Sequence, residues 1–311
     1  RREGVARDEL RRRVGRRAVA ETRTSVDEPE TGDHIVVGVT EDTSTDDETA
    51  MVRFAADVAN RRSGHVSVVR FDEVPDQLPL EPATDMQSPG DEDFENRMER
   101  FRSDMDVPIE YGEIVSHDRR HAMVNYATHH DADLLVVEDL HVGVGSALLG
   151  EDDEWIATHS PCDVLLVDAP RLGDLSEIAL VTDRGPFDPG KMKIADAIAS
   201  SAGASIVLVQ RVGPNVADER RETIREYHDE LAALCSVPVE SRIVETGDEG
   251  GLVASVESAD LVVLEGDRTG LDALYNRRHL EDVVEGPTVV LWPHRERTPG
   301  LLQRLFDRLA F

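Results

Sequence analysis

A chain of 311 residues is long enough for two compact cores. Its 64 acidic side chains against 34 basic ones give a formal net charge of −30, which argues against nucleic acid or anionic lipid as a partner of the body of the protein. No stretch approaches the roughly eighteen consecutive apolar residues of a membrane helix, and no signal peptide is visible. Lys191 and Lys193 are the only lysines, so arginine supplies nearly all the basic charge. With aromatics at only 4%, this is the composition of a protein from a salt-in halophile. At molar salt the Debye length falls to roughly 3 Å and long-range steering by net charge becomes negligible. Cys162 and Cys235, one in each half, are expected to be reduced packing residues of a cytosolic protein.

The first 33 residues stand apart. Residues Arg1 to Arg23 hold nine arginines against four acids. That pattern fits a solvated linker helix, and equally a cytoplasmic flank following a transmembrane helix, where arginine is enriched. The chain begins at Arg1, which favours the second reading and a longer parent polypeptide. Val26 to Asp33, with Pro29 and Gly32, reads as a linker.

From His34 the pattern alternates between short apolar runs and amphipathic stretches. His34 to Val39 predicts a strand and Asp46 to Arg62 a helix, with Asp46 or Asp47 as N-cap and Met51, Phe54, Ala55 and Val58 on one face. A strand at Val66 to Phe71 precedes a polar excursion from Asp72 to Asp91. Then come a helix at Asp93 to Asp104, a strand at Val107 to Val115, a helix at Arg119 to His130 and a strand at Leu134 to Val137. A glycine-punctuated loop, a helix and a strand at Val164 to Val167 close the unit. Apolar runs without polar alternation suit strands covered on both faces, as in a parallel sheet flanked by helices.

After a linker at Asp168 to Leu175 the same order returns. The strands are Ile178 to Thr182, Ser205 to Val212, Val237 to Thr246, Ala259 to Glu265 and Pro287 to Trp292. The helices are Pro189 to Ala202, Val216 to Leu234, Gly250 to Glu257 and the NRRHLEDVVE stretch. The expected fold is therefore α/β, two tandem doubly wound domains over 34–168 and 175–294, each with a five-stranded parallel sheet flanked by helices. The closing strands Val164 to Val167 and Val289 to Trp292 are apolar enough to need covering, by each other or by another chain. Leu301 to Phe311 follows as an amphipathic helix at the end of 299–311, suited to docking on its own domain or a partner, or to a membrane interface.

The repeated phrases ADLLVV at Ala132 to Val137 and ADLVVL at Ala259 to Leu264, the loop from Gly143 to Gly150 and SPCDVLLV at Ser160 to Val167 resemble tandem universal stress protein domains, a fold related to the adenine nucleotide alpha hydrolases. With the basic flank and FDEVPDQLPLE at Phe71 to Glu81, the whole resembles the cytoplasmic C-terminal region of archaeal amino acid transporters, especially cationic amino acid permeases. Archaeal cation-chloride cotransporters carry a similar tandem. The resemblance implies a non-enzymatic regulatory or assembly domain on the cytoplasmic face of the membrane. Its partners would be the membrane-embedded portion of the same polypeptide and a second copy in a homodimer. The alternative is a free-standing tandem stress protein that binds ATP.

Nucleotide-binding members of that family use an aspartate after the first strand and a G-x2-G-x9-G-(S/T) loop after the fourth. Glycine lets backbone N–H groups approach the phosphates, and the following helix N-terminus adds its dipole. Here the strand-one position holds Thr40 and Glu41, and the loop offers Gly143, Gly145 and Gly150 followed by four carboxylates, Glu151 to Glu154, which repel a triphosphate. The second half keeps Asp183 but has only Gly266 and Gly270 in its loop. These eight residues are degenerate nucleotide-loop candidates; no cofactor is expected, with ATP or another adenine nucleotide as the ligand to test. His117, His121, His129 and His130 have helical spacing but lack a completing cluster, and read as surface histidines. No G-x-S-x-G elbow occurs, and nothing in the sequence argues for catalysis.

Overall fold

The structure, a computed structural model, describes residues 18–21, 32–77, 89–139, 151–168, 173–182, 188–213, 215–245, 256, 258–266 and 286–294. The first half runs β1 (Ala18–Glu21), β2 (His34–Thr40), α1 (Thr45–Arg62), β3 (His65–Glu73), α2 (Pro89–Asp104), β4 (Ile109–Ser116), α3 (Arg119–His129), β5 (Leu134–Glu138), α4 (Glu151–His159) and β6 (Asp163–Asp168). The second runs β7 (Glu177–Thr182), α5 (Asp188–Ala202), β8 (Ser205–Val212), α6 (Asp218–Ala232), β9 (Val239–Glu245), β10 (Leu261–Glu265) and β11 (Thr288–Trp292).

All the described strands belong to one sheet in the order β1-β4-β3-β2-β5-β6-β11-β10-β7-β8-β9. Two five-stranded parallel units of identical order meet where β6 and β11 pair antiparallel, Val167 opposite Val289 and Leu166 opposite Val290. Two apolar edges thus cover one another, and what the sequence suggests as two sheets is a single continuous one.

Alternation along the strands assigns two apolar layers. Ile35, Val37, Ile178, Leu180, Val289 and Leu291 face a cluster shared with α1, α2 and α5, so this core runs unbroken through both units. Val36, Leu135, Leu166, Val262 and Val290 face the other, with α3 and α4. Cys235 packs against the first layer and Cys162 lies in the second. Both thiols are free, and burial pushes them up to about 12 and about 11.

Several local expectations need correction. Residues 18–21 are a strand paired antiparallel with β4, Ala18 opposite Ser116, and not part of a linker helix. The N-cap of α1 is Ser44, whose hydroxyl accepts from Asp47 N–H, because a serine one position outside the helix competes better than the aspartates inside its first turn. The second helix begins at Pro89, four residues early, as proline suits the first helical turn. The stretches predicted as helices at Gly250 to Glu257 and Asn276 to Glu285 and at the C-terminus lie almost wholly outside the described residues.

Candidate functional site

In an open parallel sheet, ligands bind beyond the carboxyl ends of the strands where the strand order reverses. That point lies between β2 and β5 in the first unit and between β7 and β10 in the second.

In the second unit the crevice is filled from within. Lys191, fully buried on α5, donates to the Val181 carbonyl of β7 at 2.9 Å and pairs with Asp188 Oδ1 at 2.8 Å and with Glu265 Oε2 of β10 at 3.2 Å. One ammonium therefore ties together both strands that border the crevice. Asp188, also fully buried, accepts from Tyr227 OH at 2.8 Å. Alongside, the buried His228 bridges Thr182 Oγ1 at 3.0 Å and Ser241 Oγ at 2.6 Å. Burial holds the His228 pKa down, so the neutral ring donates with one nitrogen and accepts with the other. Gly266 follows directly: a Cβ there would fall inside the Trp292 indole, a packing reason for glycine at this position.

The first unit solves the same geometry differently. Burial along the helices aligns Glu48, Met51, Phe54, Ala55 and Val58 with Asp188, Lys191, Ile194, Ala195 and Ile198. Glu48 is gripped at both oxygens by Arg97 of α2, at 2.6 and 2.9 Å, which does for Glu48 what Tyr227 does for Asp188. Met51, however, occupies the place of Lys191, so Glu138, the counterpart of Glu265, has no such ammonium beside it. Burial pushes Glu138 up, a hydrogen bond from Thr43 offsets part of that, and Asp47, Asp168 and Asp42 push it further. Asp168 is pushed up to about 6 by burial and by Asp139 and Asp47. Thr40 spends its hydroxyl on the adjoining turn, 3.2 Å from Thr43 Oγ1, and Glu41 is exposed. The first crevice is thus rimmed by carboxylates that oppose a phosphate, and the second is occupied by a side chain.

Among the sequence candidates, Thr40 and Glu41 lie at the rim of the first crevice and Gly266 at that of the second. Gly143, Gly145, Gly150, Asp183 and Gly270 lie outside the described residues. The helical histidines are engaged locally, His117 Nδ1 with the Val74 carbonyl, His121 Nδ1 with Asp118, and His129 Nδ1 with the Asn125 carbonyl. Sequence reasoning missed the Lys191 bridge. Two signals pointed to it: the scarcity of lysine, and a glutamate closing the repeated phrase in both halves, Glu138 and Glu265.

Asp168 carries a pH prediction. Its folded pKa is raised, so the folded state holds this proton more tightly than the unfolded chain; the resulting stability is present in acid and lost as pH rises through about 6. At neutral pH the buried charge is a cost. Asp168→Asn is expected to raise stability at pH 8 by about 1–2 kcal/mol, allowing for partial exposure, and to change it little at pH 4. Urea unfolding at the two pH values measures the difference; an equal effect at both would mean that the carboxylate is not desolvated.

Residues 32–168 match the family model described as the universal stress protein family. Solved structures extend the likeness over both halves. A protein of unknown function from Pseudomonas aeruginosa PAO1 is 16% identical with a TM-score of 0.57, over 85% of this chain and 93% of its own. A universal stress protein from Archaeoglobus fulgidus is 10% identical with a TM-score of 0.57, over 82% and 95%. The cytoplasmic domain of a prokaryotic cation chloride cotransporter is 16% identical with a TM-score of 0.56, over 85% and 96%. At these identities the shared property is the fold. No curated protein matches the chain. Among the described residues no helix is long and apolar enough to cross a membrane.

Proposed function

We propose that this tandem of universal stress protein-like units is a non-enzymatic regulatory and assembly domain of a membrane transporter. The observation that carries it is the Lys191 bridge: a unit whose ligand crevice is closed by its own buried ion pair is built to hold a shape. The acidic rim of the first crevice supports the same reading, and the Thr182 hydroxyl beside His228 in the second unit is buried. The basic leading segment and the Phe71 to Glu81 phrase favour an amino acid permease. The likeness to a cotransporter's cytoplasmic domain favours that class as the second reading. In either case the domain sits at the cytoplasmic face, joined to the membrane-embedded portion of the same polypeptide, and pairs with a second copy.

The mechanism follows from where the units touch. Arg61 at the end of α1 reaches Asp196 of α5 at 3.0 Å, and Asp196 also accepts from Ser236 N–H at 2.6 Å at the turn before β9. A shift between α1 and α5 therefore moves both units, and β1 on the β4 edge couples that movement to the leading segment. Cell fractionation with an antibody against this chain tests the assignment. The expected result is a membrane-bound polypeptide well above 34.4 kDa; a soluble species of that mass would favour the free-standing stress protein.

A further inference from the structure

At the opposite end of the sheet from both crevices, a cavity of about 480 Å³ opens between the two units. Its walls are the second half of α1, the α2-to-β4 turn, the C-terminal end of α5 and residues 173–175 ahead of β7. The volume lies within the range of small-molecule sites. Phe54, Met105, Val107 and Leu175 supply an apolar part of the lining. The charged part is one-sided: Asp57, Asp104, Asp106 and Asp174 against the single guanidinium of Arg53.

Asp57 is the group that most needs a counter-charge. It lines the cavity together with Ser201 of α5; burial pushes its pKa up to about 6, which Ser201 and Arg53, one turn earlier on the same helix, offset only in part. The remaining charged groups in the lining are carboxylates, so an anion entering this cavity meets net repulsion and a cation meets attraction. Apolar walls beneath a polar rim suit an organic cation better than a hydrated metal ion.

From this we infer that the cavity between the two units binds a small organic ammonium compound, with an ammonium group on Asp57 and an alkyl chain along Phe54 and Met105. A diamine and a dibasic amino acid share that chemistry. Only the second also has a carboxylate to place on Arg53. Because the walls come from both units, an occupant ties α1 to α5 beside the Arg61–Asp196 pair and fixes the relation between the halves. The site stands or falls independently of the transporter assignment, which fractionation tests.

Calorimetric titration of the whole 311-residue chain with putrescine and with free lysine decides the matter. Saturable one-to-one binding of at least one of them, with Kd of about 1 mM or tighter, is expected. Asp57→Asn should weaken it at least tenfold, whereas Arg53→Gln should weaken free lysine and spare putrescine. If circular dichroism shows that Asp57→Asn does not fold, Asp106→Asn, at an exposed position, replaces it with an expected loss of at least threefold. No saturable heat from either compound, or unchanged affinity in the folded aspartate variant, would overturn the proposal.

Discussion

Lys191→Ala is expected to lower the unfolding free energy by about 3–5 kcal/mol, the range for removing one partner of a buried ion pair. The fully buried Asp188 would keep only Tyr227 among the partners described above, Glu265 would lose its ammonium, and the Val181 carbonyl its donor. The penalty comes from the carboxylates left in a low-dielectric place more than from the lost attraction. The first unit indicates the remedy, since Met51 fills the equivalent position in an apolar layer. Lys191→Met combined with Asp188→Asn and Glu265→Gln, which removes both stranded carboxylates, should recover most of the loss. Urea unfolding followed by circular dichroism in molar KCl measures both variants; a loss below about 1 kcal/mol for Lys191→Ala would mean that water replaces the ammonium and that the crevice is open.

Leu166→Asp should have an effect at least as large. Leu166 is fully buried in β6, directly opposite Val290 of β11, at the line where the units join. The described residues that share its layer are apolar or aromatic, and a cost of about 4 kcal/mol or more is a large part of the whole stability of an ordinary domain. Leu166→Met, close in volume, should cost under about 1.5 kcal/mol. The shared sheet and the unbroken core on the α1–α5 face predict that Leu166→Asp destabilises both halves together, in one shifted transition. A second-unit transition left at its original midpoint would show that the halves unfold independently.

Much of this architecture is legible in the residues. Apolar runs such as Leu134 to Val137 and Leu261 to Leu264 mark strands because both faces of the sheet are covered, and Met51, Phe54, Ala55 and Val58 mark the buried side of α1 through helical spacing. The pairing of β6 with β11 was among the options that two apolar closing strands allow; choosing it over a second chain needed the three-dimensional register. Cap positions were less legible, because Ser44 and the neighbouring aspartates are all good caps and geometry decides among them. The site was read mainly through glycines, which report where a backbone approaches a ligand or a neighbour without saying which. Gly266 packs against Trp292. The decisive group, Lys191, belongs to a residue type that ordinarily sits in water, and only the convergence of Asp188, Glu265 and the Val181 carbonyl makes it a core residue. Likewise Glu138 and Glu265 look equivalent in sequence, and their different surroundings follow from one helix position, methionine in one unit and lysine in the other.

The closed crevice of the second unit and the acidic rim of the first are tested most directly by calorimetric titration of the chain with ATP, with and without Mg²⁺, in molar KCl. No binding heat up to millimolar ATP is the predicted result. Micromolar binding by wild-type protein, lost when Gly143 and Gly145 are replaced by bulky residues, would contradict it and make the chain a nucleotide sensor.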